Sequence, residues 1–232
     1  LPPPPLSLLQ VPSGTSSSAS RIRGFPHVDG NFALHVYIEV SIPVASRKEL
    51  GSLLKRVAAQ VPVLHTVDTD LPVMNLAEDD RKFEQLALGR AFHVSLGRTV
   101  PIRMHQRDSI VAMLRHRLQS SKRYRMEFDK VEVFDNDDFT RTFLCLEVTT
   151  VGSREIKKQI DRVNEVYRLH NLPEFYEDPR PHISIAWGPG DVSDALRRAI
   201  GEETTTRAKT FCCCGFGRVS CKIGQKTFEI CR

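Results

Sequence analysis

Two short segments carry the residues with the clearest chemical potential. His93 and Ser95 lie in FHVSLGRT, and His182 and Ser184 lie in PHISIAWGPG. In an extended strand, residues two apart point to the same face, so each segment presents an imidazole beside a hydroxyl. One His-x-Ser match among eight histidines could arise by chance. Both matches, however, stand in short apolar strands and precede a Gly-containing turn, so we interpret them as a functional pair.

Two histidines that face each other across a groove suit general acid–base catalysis. An imidazole titrates near pH ~6.5, so a neutral ring can act as the base while a protonated ring acts as the acid. The matching substrate has a phosphoryl centre between a nucleophilic hydroxyl and an oxygen leaving group. The two serine hydroxyls would donate hydrogen bonds to its non-bridging oxygens. This chemistry requires no metal and no cofactor, and the acidic residues show no metal-ligand spacing.

The composition is that of a globular protein with a modest positive charge. The chain has 232 residues, is 41% hydrophobic and carries a formal net charge of +5. This charge permits a nucleic-acid partner, although it is equally consistent with a basic soluble protein of another kind. No apolar run reaches the roughly 18 residues that span a bilayer, and no secretory signal pattern is present. We therefore expect no membrane partner.

The cysteine spacing argues against both a disulfide framework and a zinc site. No pair has the C-x-x-C spacing, and three cysteines are adjacent, which suits neither a disulfide nor a tetrahedral metal. We expect free thiols in a reducing compartment and no metal ligands. The six cysteines are Cys145, Cys212, Cys213, Cys214, Cys221 and Cys231.

Hydrophobic periodicity predicts a mixed order of strands and helices after a Pro- and Ser-rich tail. Residues 1–23 bury too little apolar surface to fold and are predicted to be disordered. Alternation predicts strands at 34–40, 91–97, 124–134 (with a bulge, or as two short strands), 140–149 and 182–187, and a hairpin that turns near Gly224. Apolar stripes predict helices from a Ser46–Glu49 capping box to Pro62, over 106–121, over 153–170, and from Asp191 or Ser193 to Ile200.

The order of these elements repeats in the two halves of the chain. Each half has a strand, a helix, a strand that bears His-x-Ser, and a second helix. Residues 65–82 between the first helix and the first His-x-Ser strand are polar and acidic, and we expect a mobile loop there. His27 and His35 are interpreted as structural histidines.

Several longer segments resemble one known family. GFPHVDGN, FHVSL, TRTFLCLEV, FYEDPRPHISIAW and the terminal CKIGQKTF are similar to segments of the U6 small nuclear RNA phosphodiesterase family. Its members are poly(U)-specific 3′-to-5′ exoribonucleases of the two-histidine phosphoesterase superfamily. The resemblance runs from about residue 24 to the end. The His-x-Ser motifs are shared across the superfamily, whereas GFPHVDGN and FYEDP-x-x-H-x-S are much more specific.

The resemblance implies an α+β fold over residues 24–232. It would have two pseudo-symmetric lobes, each an antiparallel β-sheet backed by helices, with the active-site groove between them. His93 and His182 would be the catalytic pair, and Ser95 and Ser184 would bind phosphate. One histidine would take the proton of the ribose 2′-OH while the other protonates the departing 5′ oxygen. This leaves a 2′,3′-cyclic phosphate, which some members open to a 3′-phosphate.

The resemblance also implies a substrate and a location. Tyr176 would stack on a base, and the segment before His182, with Asp178 and Pro181, would line the terminal nucleotide. The partner would be the single-stranded, U-rich 3′ end of U6 small nuclear RNA, bound by a monomer in the nucleus. The chain departs from the family at Gly97, where some members carry a polar residue. Asp137 lies in a turn that matches a uracil contact of the family only weakly.

Three alternatives remain open at this point. The chain could be a two-histidine enzyme that acts on small cyclic phosphates or on 2′-5′ linkages. It could be an RNA-binding module that has lost turnover, although both His-x-Ser motifs are intact. A purely structural scaffold would require the two motifs to be accidental.

Overall fold

The computed structural model describes residues 28–204 and 210–232, without the side chains of 202–204. The predicted tail at 1–23 and His27 lie outside the described residues. The strands are β1 (Asn31–Ser41), β2 (His65–Thr66), β3 (Ala91–Ser95), β4 (Val100–Arg103), β5 (Arg125–Phe128), β6 (Lys130–Asp135), β7 (Arg141–Glu147), β8 (His182–Pro189), β9 (Cys212–Gly215), β10 (Val219–Ile223) and β11 (Lys226–Cys231). The α-helices are α1 (Val44–Gln60), α2 (Val73–Leu76), α3 (Asp80–Phe83), α4 (Arg107–Leu118), α5 (Ser153–Leu169) and α6 (Ser193–Thr204).

Two antiparallel sheets carry the two His-x-Ser strands. The first sheet has the order β11-β10-β1-β3, and β4 also pairs with β1, so β3 and β4 share one edge of the long central strand. The second sheet has the order β2-β8-β7-β6. Strands β3 and β8 lie next to each other where the two sheets meet. The expected α+β fold of two antiparallel sheets backed by helices is therefore confirmed.

Helices α1 and α5 each leave one sheet and pack on the side of the other. Helix α1 follows β1 of the first sheet but packs against α6, which contacts β6 of the second sheet. Helix α5 follows β7 of the second sheet but packs against α4, which contacts β11 of the first sheet. Side chains of α5 also lie against Gly97 beyond β3. The two halves thus contribute to each other's hydrophobic layers.

The apolar stripes identify the buried helix faces correctly. Residues Leu50, Leu54 and Val57 of α1 are fully buried, and so are Ile156 and Val163 of α5. This burial supplies the main stabilisation of both helices, since apolar surface removed from water contributes roughly 25 cal/mol per Å². Among the described residues, no helix is long and apolar enough to cross a membrane.

Two local predictions differ from the structure, and one open alternative is resolved. Helix α1 begins at Val44 after Pro43, without a side-chain cap, so the Ser46–Glu49 capping box is wrong. The segment 124–134 forms two strands, as one alternative stated, and they join different partners: β5 pairs with β9, whereas β6 pairs with β7. Helix α6 continues past Ile200 to Thr204.

The acidic segment 65–82 is ordered rather than a featureless loop. It contains β2, α2 and α3, and β2 extends the second sheet through its pairing with β8. Its turn is held by long-range contacts, because Arg90 forms a salt bridge of 2.8 Å with Asp68 and the Trp187 indole N–H donates to Asp70 over 3.1 Å. The polar composition reflects side chains that bind distant partners.

Candidate active site

Strand β3 presents the first His-x-Ser motif to the groove. Phe92 and Val94 are buried in the core behind the strand, with 4% and 0% of their surface exposed. His93 and Ser95 are partly buried on the opposite face. The antiparallel register places them opposite residues of β1 that lie on the same face, with Ser95 opposite Tyr37. The alternation predicted for this strand is confirmed.

Strand β8 presents the second motif in the same way. Ile183 and Ile185 are fully buried, while His182 and Ser184 are partly buried on the other face. Because β3 and β8 adjoin, the two imidazoles come close enough to influence each other's charge: a positive His182 lowers the pKa of His93. The structure therefore brings the two motifs together at one place.

A cleft of about 750 Å³ opens at this meeting point. Its volume falls within the roughly 300–1,000 Å³ range of pockets that hold small molecules. Its walls come from both His-x-Ser strands, from the loop between β3 and β4, from the turn between β6 and β7, and from the loop between α5 and β8. The lining residues that the sequence singled out are Ser95, Gly97, Asp137, Tyr176, Asp178, His182 and Ser184.

The His182 ring is fixed by two contacts. Its Nδ1 lies 2.7 Å from the backbone carbonyl oxygen of Arg180, and its face stacks on Phe134 at a centroid distance of 4.3 Å. A carbonyl only accepts, so Nδ1 carries the proton and Nε2 is the nitrogen left for chemistry. Arg180 forms salt bridges of 2.6 Å with Glu147 and 2.8 Å with Glu132, and its guanidinium lies 4.6 Å from the centroid of the Phe134 ring.

The environment lowers the pKa of both histidines. Burial disfavours the charged ring and is the main cause at His93, where Asp68 acts in the opposite direction. Burial is also the main cause at His182, where the hydrogen bond to the Arg180 carbonyl raises the pKa in part compensation. In the free protein both rings therefore favour the neutral form, and a bound anionic phosphate would favour protonation of one of them.

Tyr176 lies in the cleft at the centre of a three-residue cluster. Its hydroxyl donates to Asp137 over 2.9 Å, and the same carboxylate forms a salt bridge of 3.1 Å with Arg98. The Arg98 guanidinium lies 4.4 Å from the centroid of the Tyr176 ring. One face of the tyrosine is thus covered by a cation, so a stacked base would use the other face or displace Arg98.

The remaining predicted substrate-binding residues lie in different places. Asp178 lines the cleft and forms a salt bridge of 3.6 Å with Lys157. Pro181 is buried outside the cleft lining, and its carbonyl accepts a hydrogen bond of 2.8 Å from the Val148 N–H. At Gly97 a β-carbon would lie 2.9 Å from the Tyr167 ring, so Tyr167 occupies the space that a larger residue would need.

Two residues that contact the serines were not predicted as functional. His35, interpreted from the sequence as structural, places Nε2 3.0 Å from the Ser95 Oγ. The Cys145 Sγ lies 3.4 Å from the Ser184 Oγ. The alternation of β1 already placed His35 on the face opposite Leu34 and Val36, and this alternation was the sequence signal that could have identified it as a residue of the site. Among the described residues, no group of three or more His, Cys, Asp or Glu is placed to hold a metal ion.

Comparison with known proteins gives consistent matches. A family model described as "HVSL: Uncharacterised conserved protein" matches residues 3–231. The U6 snRNA phosphodiesterase 1 of Mus musculus is 30% identical over 222 residues, which cover 93% of this chain and 74% of that protein. The protein of the same name from Homo sapiens is 30% identical over an alignment 242 positions long, which covers 98% of this chain and 83% of the relative.

A solved structure shares the fold. The structure of Kluyveromyces marxianus Usb1 with uridine monophosphate superposes with a TM-score of 0.61 at 15% identity, covering 85% of this chain and 97% of that one. The family model and the two relatives each match most of the chain. The chain belongs to the U6 snRNA phosphodiesterase family.

Proposed function

We propose that this protein is a 3′-to-5′ exoribonuclease that trims the oligo(U) 3′ end of U6 small nuclear RNA. The observation that carries the proposal is the approach of the two His-x-Ser strands: Ser95, His182 and Ser184 line one cleft, and His93, which is outside its lining, lies close enough to His182 for a charge there to lower its pKa. The names of the mouse and human relatives support U6 RNA as the substrate. The uridine monophosphate in the Kluyveromyces marxianus structure is in keeping with a preference for uridine.

The proposed reaction is a transesterification at phosphorus. One histidine takes the proton of the ribose 2′-OH, and the new bond joins that oxygen to phosphorus. The bond from phosphorus to the 5′ oxygen of the terminal nucleotide breaks, and the other histidine protonates this oxygen. The products are a free nucleoside or nucleotide and an RNA that ends in a 2′,3′-cyclic phosphate. His182 would act through Nε2, since its Nδ1 is engaged by the Arg180 carbonyl.

The polar side chains of the cleft have matching roles in this proposal. The Ser95 and Ser184 hydroxyls donate to the non-bridging oxygens, where negative charge grows in the transition state. Tyr176 offers a ring face to a base, and stacking of this kind is worth about 1–3 kcal/mol per base. Asp178, on the same loop, faces the terminal nucleotide. Imidazole acid and base need no metal, so chelation is expected to leave the rate unchanged.

The decisive experiment uses oligo(U) RNA with a cis-diol 3′ end and mass analysis of the shortened products. We expect a ladder of ends with 2′,3′-cyclic phosphate, or with 3′-phosphate if the ring is opened. A 2′-deoxy sugar at the scissile position should block the step, and EDTA should not. Equal cleavage of DNA, or complete loss of activity in EDTA, would exclude this mechanism.

Variants test the assignment of the two histidines. His93→Ala and His182→Ala should each lower turnover by about 10²- to 10⁴-fold, the usual contribution of general acid–base catalysis. His116→Ala is the matched control, because His116 is exposed on α4 and lies outside both His-x-Ser strands. A variant at position 93 or 182 that kept its turnover would remove that histidine from the mechanism.

The same assays separate the alternatives. Hydrolysis of small cyclic phosphates or of 2′-5′ linkages without oligo(U) trimming would assign the chain to another activity of the superfamily. Oligo(U) binding without turnover between pH 6 and 8 would indicate an RNA-binding module. We also propose that the protein acts as a monomer in the nucleus, which fractionation of cells and light scattering of the purified protein would test.

A further inference from the structure

We propose that His35 is a positioning residue that directs the Ser95 hydroxyl toward the substrate phosphate. The inference deepens the proposed phosphodiesterase function and rests on it. The contact that carries it is the 3.0 Å distance between the His35 Nε2 and the Ser95 Oγ, which joins the central strand of the first sheet to the strand bearing the first motif.

The fold holds the His35 ring in one place. Leu34 and Val36 are fully buried behind β1, so the alternation of the strand turns His35 toward the groove. The ring lies edge-on to His93 at a centroid distance of 5.0 Å with an interplanar angle of 85°. The Tyr37 ring lies 4.9 Å from His35 and 5.7 Å from His93, so the three rings contact one another. Two aromatic neighbours and one hydrogen bond therefore fix the position of Nε2.

The donor and acceptor roles follow from what Ser95 must do. A serine hydroxyl has one proton, so it can donate to a phosphate oxygen only if it does not donate elsewhere. When the His35 Nε2 carries the ring proton, it donates to the serine oxygen and leaves the hydroxyl proton free for the cleft. The ring is kept neutral, because burial and the nearby His93 and Lys222 lower the pKa of His35 to about 3. The role requires the proton on Nε2, and in a neutral ring this is the tautomer that leaves Nδ1 without a proton.

Among the described residues, the neighbour of Ser184 is a thiol and not an imidazole, so the second motif serves as an internal comparison. Ser184 has the Cys145 thiol as its neighbour, with Sγ and Oγ 3.4 Å apart. A thiol is a weak donor and a weak acceptor, so it orients a hydroxyl less strongly than an imidazole N–H does. The pseudo-symmetric sites are thus unequal, and loss of His35 should affect only the contribution made by Ser95.

The test combines substitutions at position 35 with the removal of each serine. His35→Phe keeps an aromatic ring in contact with Tyr37 and His93 but removes the N–H. His35→Gln offers an amide N–H near the place of Nε2. On oligo(U) we expect His35→Phe to lower kcat about 10-fold with little change in KM, and His35→Gln to recover most of this loss.

The coupling between substitutions at positions 35 and 95 tests whether His35 acts through Ser95. In a Ser95→Ala background, His35→Phe should lower kcat less than 2-fold further, because the group that it positions is gone. In a Ser184→Ala background, the full 10-fold loss should remain. Equal losses in the wild-type and Ser95→Ala backgrounds would overturn the proposal, and so would an unaffected His35→Phe enzyme.

Binding of uridine 3′-monophosphate, measured by calorimetry, gives a readout that does not require turnover. His35→Phe should weaken it in the wild-type background and not in Ser95→Ala. Failure of the wild-type protein to cleave any RNA would refute the proposed function, while this cycle would still test the role of His35. Tyr124→Phe controls for general destabilisation, because it removes a 2.8 Å hydrogen bond to Gln159 outside the cleft. If His35→Phe fails to fold, His35→Leu takes its place.

Discussion

Acidification is expected to destabilise the fold through His35. The unfolded chain takes up a proton at this residue near its ordinary pKa of 6.5, whereas the folded chain resists protonation until about pH 3. Between these values the unfolded state binds more protons, so the free energy of unfolding falls as the pH falls. The contribution is present in full above pH 6.5 and is lost progressively down to about pH 3.

The loss at pH 5 amounts to about 2 kcal/mol from this one residue. At that pH the unfolded ring lies about 1.5 pH units below its pKa, and each unit corresponds to about 1.4 kcal/mol. The pKa values of His93 and His182 are also lowered by burial, so they add to the loss in the same direction. Protonation of His93 would further oppose a charge on His35, because the two rings adjoin.

The assay is urea unfolding at pH 7 and pH 5 for the wild type and for His35→Phe. The variant should lose about 2 kcal/mol less than the wild type between the two pH values, whatever its stability at pH 7. Tyr124→Phe should lower stability by the same amount at both values. If the wild type and His35→Phe showed equal pH dependence, the premise that the fold keeps His35 neutral would be wrong.

Three further outcomes are expected. Gly97→Ser should lower the free energy of unfolding by about 1–3 kcal/mol, measured by thermal unfolding, because its β-carbon would lie 2.9 Å from Tyr167. A variant as stable as the wild type would show that α5 can shift without cost. Tyr176→Ala should weaken oligo(U) binding about 10- to 100-fold, while Tyr176→Phe should retain most of the affinity. Equal losses in the two variants would show that the hydroxyl, and not the ring, contributes to binding. The acidic limb of the plot of kcat/KM against pH should have its midpoint below pH 6.5. Burial lowers the pKa of His93 and His182, so the histidine that acts as the base stays neutral at lower pH. A midpoint above pH 6.5 would contradict this.

The sequence predicted the two motif strands because their signal is local. Alternation with a period of two places His93 with Ser95, and His182 with Ser184, whatever the rest of the chain does. The side-chain contact between His35 and Ser95 could not be predicted in this way. It depends on the register between β1 and β3, which is set by residues about 60 positions apart.

The same distinction explains the errors at 65–82 and at the start of α1. Acidic residues in a polar segment usually indicate a loop, but here Arg90 and Trp187 supply partners that lie far along the chain. The capping box is a local signal, but Pro43 at the N-cap fixes the backbone before Val44, so the helix begins there and Ser46 already lies inside it. The π-helical turn at Glu84–Leu88 that leads into β3 likewise has no recognisable pattern of its own.

The exchange of α1 and α5 between the two sheets makes the halves of the chain interdependent for folding. Each half on its own would expose the face that the other half's helix covers, so neither should form a stable unit. We expect one calorimetric transition, with the ratio of van 't Hoff to calorimetric enthalpy near one, and no folded product from a chain cut between α4 and β5. Opening of the cleft by separation of the two sheets would have to break this shared packing, so the distance between the two histidines is set by the hydrophobic core itself.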